Sequence, residues 1–504
     1  IFAVSGPAKN ALYLQLANKN KAASLRFKDV TVSIPGLDGG DHWGAGAALA
    51  DFDNDGDLDL YIGHFDAPNQ LWVNETKQTG EPVFVECAKA WGVDFRDASF
   101  MPSFVDYDLD GDLDLFVLGY QYQDPKGRPR DPPVYEVDGK YFVKKEEQRY
   151  YAIIKQPGGG EKFTNVGRPD HLFRNDGGHF KDVTTSSGLS DVGVGNSASW
   201  FDYNQDGYPD LYVANDFKIG DQFWHNNGDG TFRNIIVDAM PHTTWFSMGS
   251  AVADVNNNGL LDLLVTDMAG TTHYRSKVSM GEMSTNANFL KTAVPRQYMR
   301  NALFINTDTP RFTEAAYLAG LASTDWTWAV KLGDYDNDGR VDAFFTNGSA
   351  RMFNHSDLSP KKEDWYGKTE WELWKDAGER KEENLAFRNL GNLQFENVSD
   401  SWGVGESSMS YTCVQGDLDG DGDLDLVVAD LDQPIALYQN QSDTGHRIRI
   451  RLHGTHSNRS GMGAVVKLQA GGLLQTRQMM PMTGFLSCNE PFLQFGLGNS
   501  TKID

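Results

Sequence analysis

The chain has 504 residues, 52 of them Gly and 12% aromatic, which suits one large turn-rich β domain with a small appendage. Its formal net charge of −25 argues against nucleic acid as a partner, and no apolar run reaches the ~18 residues of a membrane-spanning helix. Three cysteines, Cys87, Cys413 and Cys488, are too few for a disulfide framework.

Near the N-terminus, Ala11-Leu-Tyr-Leu and Leu25-Arg-Phe-Lys-Asp-Val-Thr read as two strands. From Asp51 onward the pattern Asp-x-(Asp/Asn)-x-(Asp/Asn)-Gly-x-x-Asp recurs six times. The copies are DFDNDGDLD, DYDLDGDLD, DYNQDGYPD, DVNNNGLLD, DYDNDGRVD and DLDGDGDLD. Oxygen-bearing side chains at alternate positions suit a hard cation, and calcium takes about 6–8 oxygens. The candidate ligands at positions one, three, five and nine are Asp51, Asp53, Asp55 and Asp59 in loop one, and Asp106, Asp108, Asp110 and Asp114 in loop two. Loop three offers Asp202, Asn204, Asp206 and Asp210, and loop four Asp254, Asn256, Asn258 and Asp262. Loop five offers Asp334, Asp336, Asp338 and Asp342, and loop six Asp417, Asp419, Asp421 and Asp425. Up to six Ca²⁺ are expected, bound least tightly by loop four, which has only two carboxylates. The loops hold 24 of the 70 acidic side chains, so without metal they repel one another.

Position twelve, where an EF-hand carries a bidentate Glu, is Ile62, Val117, Val213, Val265, Phe345 and Val428. Each loop therefore runs into a strand, as in LDLYIGHF, LDLFVLGY and LDLVVADL. A second signature follows, as in HLFRNDGGHFKDVT, and reads as a hairpin with an Asn/Gly turn. One repeat is then four antiparallel strands, the content of a propeller blade. The expected fold is an all-β propeller of seven blades, six with metal loops, the N-terminal strands helping to close the ring. Its bounds are 1–443, followed by a small β domain over 444–504.

Loop-to-loop spacings are 55, 96, 52, 80 and 83 residues, so the second, fourth and fifth repeats carry insertions, near 121–168, 269–300 and 350–384. All three follow the second strand of their blade and emerge on the face opposite the metal loops, where function is expected. Strand two ends at His64, Gly119, Asn215, Asp267, Asn347 and Asp430, which either line that face or cap local turns. Strand one starts near His42, Trp245 and Asp325, with Trp43, Phe246 and Trp326 beside them, which either rim the channel for a sugar or pack between blades. The tract His273–Lys277, with Arg296 and Arg300, either holds an anionic group or pairs with neighbouring acids. The candidate ligand site is His42, His64, Asn215, Asp216, Asp267, His273, Arg275, Arg300, Asp325, Trp326 and Asn347, concentrated between the third and fifth blades.

The loops with their following strands resemble the FG-GAP (VCBS) repeats of integrin α-chain propellers. The tail, with Asn458-Arg-Ser-Gly-Met-Gly-Ala, Ala470-Gly-Gly, Phe485-Leu-Ser and Phe495-Gly-Leu-Gly, resembles the ASPIC/UnbV domain. The pair is similar in layout to the cartilage acidic protein family and its bacterial relatives. The resemblance implies an extracellular, calcium-dependent propeller. No Gly-x-Ser-x-Gly, His-Glu-x-x-His, phosphate loop or Cys-x-x-Cys marks a catalytic centre. The expected function is a secreted or cell-surface module, without a transmembrane segment, that binds a glycan or an extracellular protein. The alternatives are a polysaccharide-active or biosynthetic enzyme, a chemistry associated with some ASPIC/UnbV relatives, and a structural matrix component. The chain starts at Ile1 rather than Met, so an upstream segment, either cleaved or outside this sequence, is expected.

Overall fold

Each acidic loop joins two antiparallel strands, and two further strands complete most sheets. The first sheet runs Trp43–Ala50, Asp59–Pro68, Gln70–Asn74 and Phe84–Glu86. The second to fifth begin with Arg96–Val105, Gly195–Phe201, Ser250–Ala253 and Asp325–Gly333 and repeat the same order. The sixth has three strands, Ser410–Gly416, Asp425–Asp430 and Ala436–Tyr438. The N-terminal strands Phe2–Ala3, Ala11–Gln15 and Phe27–Asp29 form a three-stranded sheet of their own and do not pair with the sixth. This computed structural model describes all residues except 7, 17–24, 77–81, 156–159, 190–191, 218, 280–292 and 504.

The repeat holds together through two polar clamps. At loop position nine the Asp carboxylate accepts two backbone amides, one from position two of its loop and one from the Asn ending strand three. In loop five, Asp342 accepts from Tyr335 at 3.0 Å and from Asn389 at 2.8 Å. The same pair of bonds forms at Asp59, Asp114, Asp210, Asp262 and Asp425. The Asn side chain then reaches back to the position-two carbonyl of the preceding sheet. Asn175 donates to Phe52, Asn226 to Tyr107, Asn306 to Tyr203, Asn389 to Val255 and Asn440 to Tyr335, at 2.7–3.4 Å. Gln15 makes the equivalent bond to Leu418 of loop six, while Phe2 and Leu12 pack against Leu60, Ile62 and Trp72 of the first sheet. The N-terminal sheet therefore sits between the sixth and the first, and the ring closes as a β-propeller. Asn389 is fully buried and also donates to Val341 at 2.9 Å. Asn389→Ala is expected to strand both carbonyls and cost about 2–4 kcal/mol by denaturant titration; a cost below ~0.5 kcal/mol would refute the clamp.

The tail does not stand apart from the propeller. Its strands His446–Ile450 and Leu493–Gly498 pair, as do Val465–Ala470 and Leu473–Gln478, over a core of Leu468, Met479, Leu493 and Phe495. The segment 480–490 enters the central channel. Lys331 donates to the Thr483 carbonyl at 2.7 Å, and Phe485 lies 5.7 Å from the Phe100 ring and 5.3 Å from that of Trp328. Thr412 donates to the Phe485 carbonyl, and the Gln415 amide donates to Asn489 at 3.0 Å. The Gly484 amide also donates to Ser250 at 2.8 Å, so inner strands of four sheets grip one segment.

Candidate functional site

Two faces are candidates. On the first, carboxylate oxygens of positions one, three and nine converge. Asp51, Asp53 and Asp59 lie within 4.8 Å of one another, and so do Asp106, Asp108 and Asp114, Asp334, Asp336 and Asp342, and Asp417, Asp419 and Asp425. Loops three and four carry Asn204 and Asn256 at position three, so their acid count is lower. Buried oxygens Asp51 Oδ1, Asp106 Oδ1, Asp108 Oδ1 and Asp417 Oδ1 accept no hydrogen bond. Such an oxygen is costly unless a cation faces it, so the donor set fits a hard metal ion. Burial pushes Asp59 up to about 8, Asp114 to about 9 and Asp425 to about 7. In each case neighbouring loop carboxylates push the same way, and backbone amides oppose them. Position five plays another part: Asp55, Asp110 and Asp421 each accept the amide two residues on, at 2.9–3.0 Å, which shapes the turn.

The tail covers this face. The Arg459 amide donates to Asn54 at 2.8 Å, Asn458 approaches Asp106 at 3.5 Å, and Lys467 donates to Gln205 at 3.0 Å. Asn257 donates to Leu474 at 3.0 Å, the Gly496 amide to Asp334 at 3.0 Å, and Arg449 pairs with Asp417. Each of the six loops thus meets the tail. Arg477, partly buried, faces Asp334, Asp254 and Asp342.

On the opposite face the three insertions form one layer across the channel mouth. The Gly367 amide donates to Arg128 at 2.8 Å, Arg130 lies 5.6 Å from the Tyr366 ring, and Ser356 donates to Lys277 at 3.3 Å. The centre of the second insertion lies outside the described residues. Beneath the layer Arg275 pairs with Asp325, which also accepts from the Thr271 amide and hydroxyl at 2.8 Å each. Asp325 has φ 70°, a strained conformation for a residue with a Cβ. Trp326 donates its amide to Glu382 at 2.8 Å, and Arg380 stacks 4.3 Å from the Trp326 ring. Met248, Met268, Phe246, Trp328 and Phe353 complete an apolar cluster around that ring.

The other sequence candidates separate into two groups. His64, Asn215, Asp267 and Asn347 are buried and act at strand ends. Each donates its own amide to the residue opening strand three, Asn69, Asp221, Asn301 and Asn384 respectively, at 2.8–2.9 Å. Asp267 also accepts from Trp245 at 2.8 Å and Phe246 at 3.3 Å, and burial lifts it to about 7. Burial lowers His64 to about 4, keeping it neutral beside His42, whose ring is 5.5 Å away. Arg300 does not join Arg275: it pairs with Glu314 at 2.9 Å, meets His242 at 2.9 Å and stacks 4.6 Å from Tyr317. Asp216 is half-buried and bridges to Phe246, while His273 is exposed at the start of the helix His273–Val278.

Two family models match the chain: FG-GAP-like repeat at 51–117 and 202–265, and ASPIC and UnbV at 454–504. The chain carries FG-GAP-like repeats and a C-terminal ASPIC/UnbV domain. The matches do not reach a whole-chain family such as the cartilage acidic proteins. No curated protein matches the sequence. Among solved structures, the chain is similar to an Agrocybe aegerita lectin described for specific recognition of non-reducing terminal N-acetylglucosamine. That pair shares 15% identity and a TM-score of 0.38 over 87% of this chain and 92% of the lectin. It is also similar to a Trypanosoma rangeli sialidase in complex with sialic acid, at 9% identity and a TM-score of 0.32, over 86% of this chain and 59% of the sialidase. These low scores say nothing about what this chain binds.

Sequence reading overlooked Arg380, Glu382 and Lys331, and met Phe485 only as part of the tail motif. Lys331 left a signal, a lone charge inside the apolar inner strand WTWAVKLG. It is fully buried, and that burial pulls its ammonium from 10.5 down to about 8. Between about pH 8 and 10.5 the unfolded chain binds more protons than the folded one, so this group makes stability rise with pH across that window. Lys331→Met is expected to remove that rise, worth about 3 kcal/mol. Urea denaturation at pH 7.5 and 10 measures it; equal pH dependence in both proteins would refute the assignment.

Proposed function

We propose that this protein is a secreted or cell-surface, calcium-stabilised propeller that binds a glycan or an extracellular protein on its insertion face. The N-terminal sheet counts in this reading as a seventh blade. Calcium is the cation of choice for all-oxygen clusters of this kind, and extracellular millimolar calcium would keep them filled. No described helix is long and apolar enough to cross a membrane.

The observation that carries the ligand reading is the joining of three insertions into one layer, two of which send Arg275 and Arg380 onto Asp325 and Trp326 of an inner strand. The tail occupies the channel and the metal face, which leaves the face covered by the insertions for a ligand. Arg275, partly exposed, supplies charge for an anionic group, and its partner Asp325 precedes Trp326 and the apolar cluster around that ring. The strained backbone of Asp325 supports an enzymatic variant of the same site, acting on a polysaccharide or a biosynthetic intermediate. The structural-matrix reading has no such feature in its favour.

A glycan array combined with a turnover screen of the purified calcium-loaded protein tests this. Arg275→Ala is expected to weaken the best ligand, or slow its turnover, about tenfold or more, with the melting midpoint nearly unchanged. Full activity in that variant would place the site elsewhere.

A further inference from the structure

At loop two, beside the Asn458–Asp106 contact, the tail and the metal loop border a groove of about 510 Å³. Its tail side carries His453, Thr455, His456 and Ser457, all exposed, and its loop side carries Asp106 and Leu109. Two features of the loop side bear on a ligand, the first shared with loops one and six and the second found in loop two.

The first is Asp106. It is 7% exposed and lines the groove, yet its Oδ1 accepts no hydrogen bond. Its other oxygen meets only a long contact, 3.5 Å, from Asn458, besides the amide of Gly111. Asp106 is one of three carboxylates in the loop-two cluster, and both oxygens of another, Asp114, already accept backbone amides. Calcium takes about 6–8 oxygens, so three carboxylates leave positions for an outside ligand.

The second is Leu109, at loop position four with φ 60°. The equivalent residues are Gln205, with φ 59°, and Asn54, Asn257, Asn337 and Gly420, the last four of types better suited to that backbone. Asn54, Asn257 and Asn337 use their side chains to bridge to the next loop, at Gly111, Gly339 and Asp423. Leu109 cannot form that bridge. It is 50% exposed and faces the groove, so an apolar side chain stands in a strained position where the repeat prefers an amide.

We propose that this groove is a cation-dependent site for a sugar or sugar acid that offers two adjacent oxygens, a vicinal diol or a hydroxycarboxylate. The pair of oxygens completes the coordination of the loop-two cation. Leu109 packs against the apolar face of the ring, and Thr455, Ser457, His453 and His456 bond the remaining hydroxyls. The inference rests on the metal reading of the loops. It does not depend on the insertion face, which lies on the other side of the propeller.

The probes are glucuronate for the hydroxycarboxylate and mannose for the diol, titrated calorimetrically into calcium-loaded protein, with terbium luminescence as a second readout. At least one of the two sugars is expected to bind, to lose all binding on chelation, and to lengthen the terbium lifetime by displacing water. His456→Ala is expected to weaken that binding about tenfold. Leu109→Asn is expected to weaken it several-fold while leaving the melting midpoint equal or higher, because the strain is relieved. If terbium fails to bind, the metal reading falls and the groove with it. If terbium binds but neither sugar does, or if both variants bind as the parent does, the groove proposal alone is overturned.

Discussion

Chelation of calcium is expected to lower the melting midpoint by 10 °C or more at pH 7.5. A site held at a thousandfold excess over its Kd contributes about 4 kcal/mol, and four loops place three carboxylates within 4.8 Å. One kcal/mol moves the midpoint of a large domain by about 2 °C, so several filled sites reach that shift easily. The sign of the pH dependence follows from the same groups. Burial raises Asp59 to about 8, Asp262 to about 8 and Asp334 to about 7. In the metal-free protein the folded state therefore holds more protons than the unfolded one from about pH 4 up to those values. Stability without metal is present at low pH and is lost as pH rises through that window. With calcium the trend reverses, because the cation binds the deprotonated carboxylates. Calorimetric scans from pH 5.5 to 8, with millimolar calcium and with EDTA, test both claims. Equal midpoints in the two buffers at pH 7.5 would refute the metal reading. Loop four, with only Asp254 and Asp262 as acids, is expected to fill last in crystals grown at graded calcium; its occupancy ahead of loop one would contradict the ranking.

Much of the fold was legible because the constraint is local. A loop that gathers oxygens needs acids at alternate positions and a Gly at the sharp turn, so six copies leave a visible period. The apolar residue at position twelve separates strand from helix for the same reason. The blade-to-blade clamp was less legible, although its residues lie in plain view. In HLFRN or LAFRN the terminal Asn reads as a turn residue, and only its bonds to Phe52 or Val255 of the preceding sheet show that it ties neighbours together. The N-terminal Gln15 acts in the same place with a different side chain, which hides the pattern further.

The candidate ligand residues were harder, because a polar residue at a strand end looks the same whether it binds or caps. Asn215, Asp267 and Asn347 cap, since a strand ending under a covering layer must satisfy its last amides internally. Arg275 pairs with Asp325, whereas Arg300 was drawn to Glu314, an acid on the outermost strand of its own sheet. The partnership of Trp326 with Arg380 and Glu382 crosses from one insertion to an inner strand, and no local period encodes it. The docking of the tail was invisible for the same reason: its contacts with the loops span hundreds of residues.

That docking leads to the second large effect, at Phe485. Its ring is 2% exposed and sits in the channel against Phe100 and Trp328, two inner-strand aromatics from different sheets. Truncating a buried Phe costs about 3–5 kcal/mol, because the cavity is only partly filled by relaxation. Phe485→Ala is expected to lose that much and to expose the tail to protease between the sixth sheet and the first tail strand. The effect should not add to that of chelation. Metal removal and the Phe485 cavity both weaken the same tail, one through the loops it covers and the other through the channel it plugs, so each perturbation reduces what the other can still cost. Thermal scans of parent and variant in calcium and in EDTA give the four corners of that cycle, and limited proteolysis reports the tail directly. Phe485→Leu, which keeps most of the volume, provides the comparison if the alanine variant fails to fold, and it is expected to keep the tail protected while melting lower. A midpoint within about 2 °C of the parent in the alanine variant, with the tail still protected, would mean that the channel segment is not what holds the two parts together.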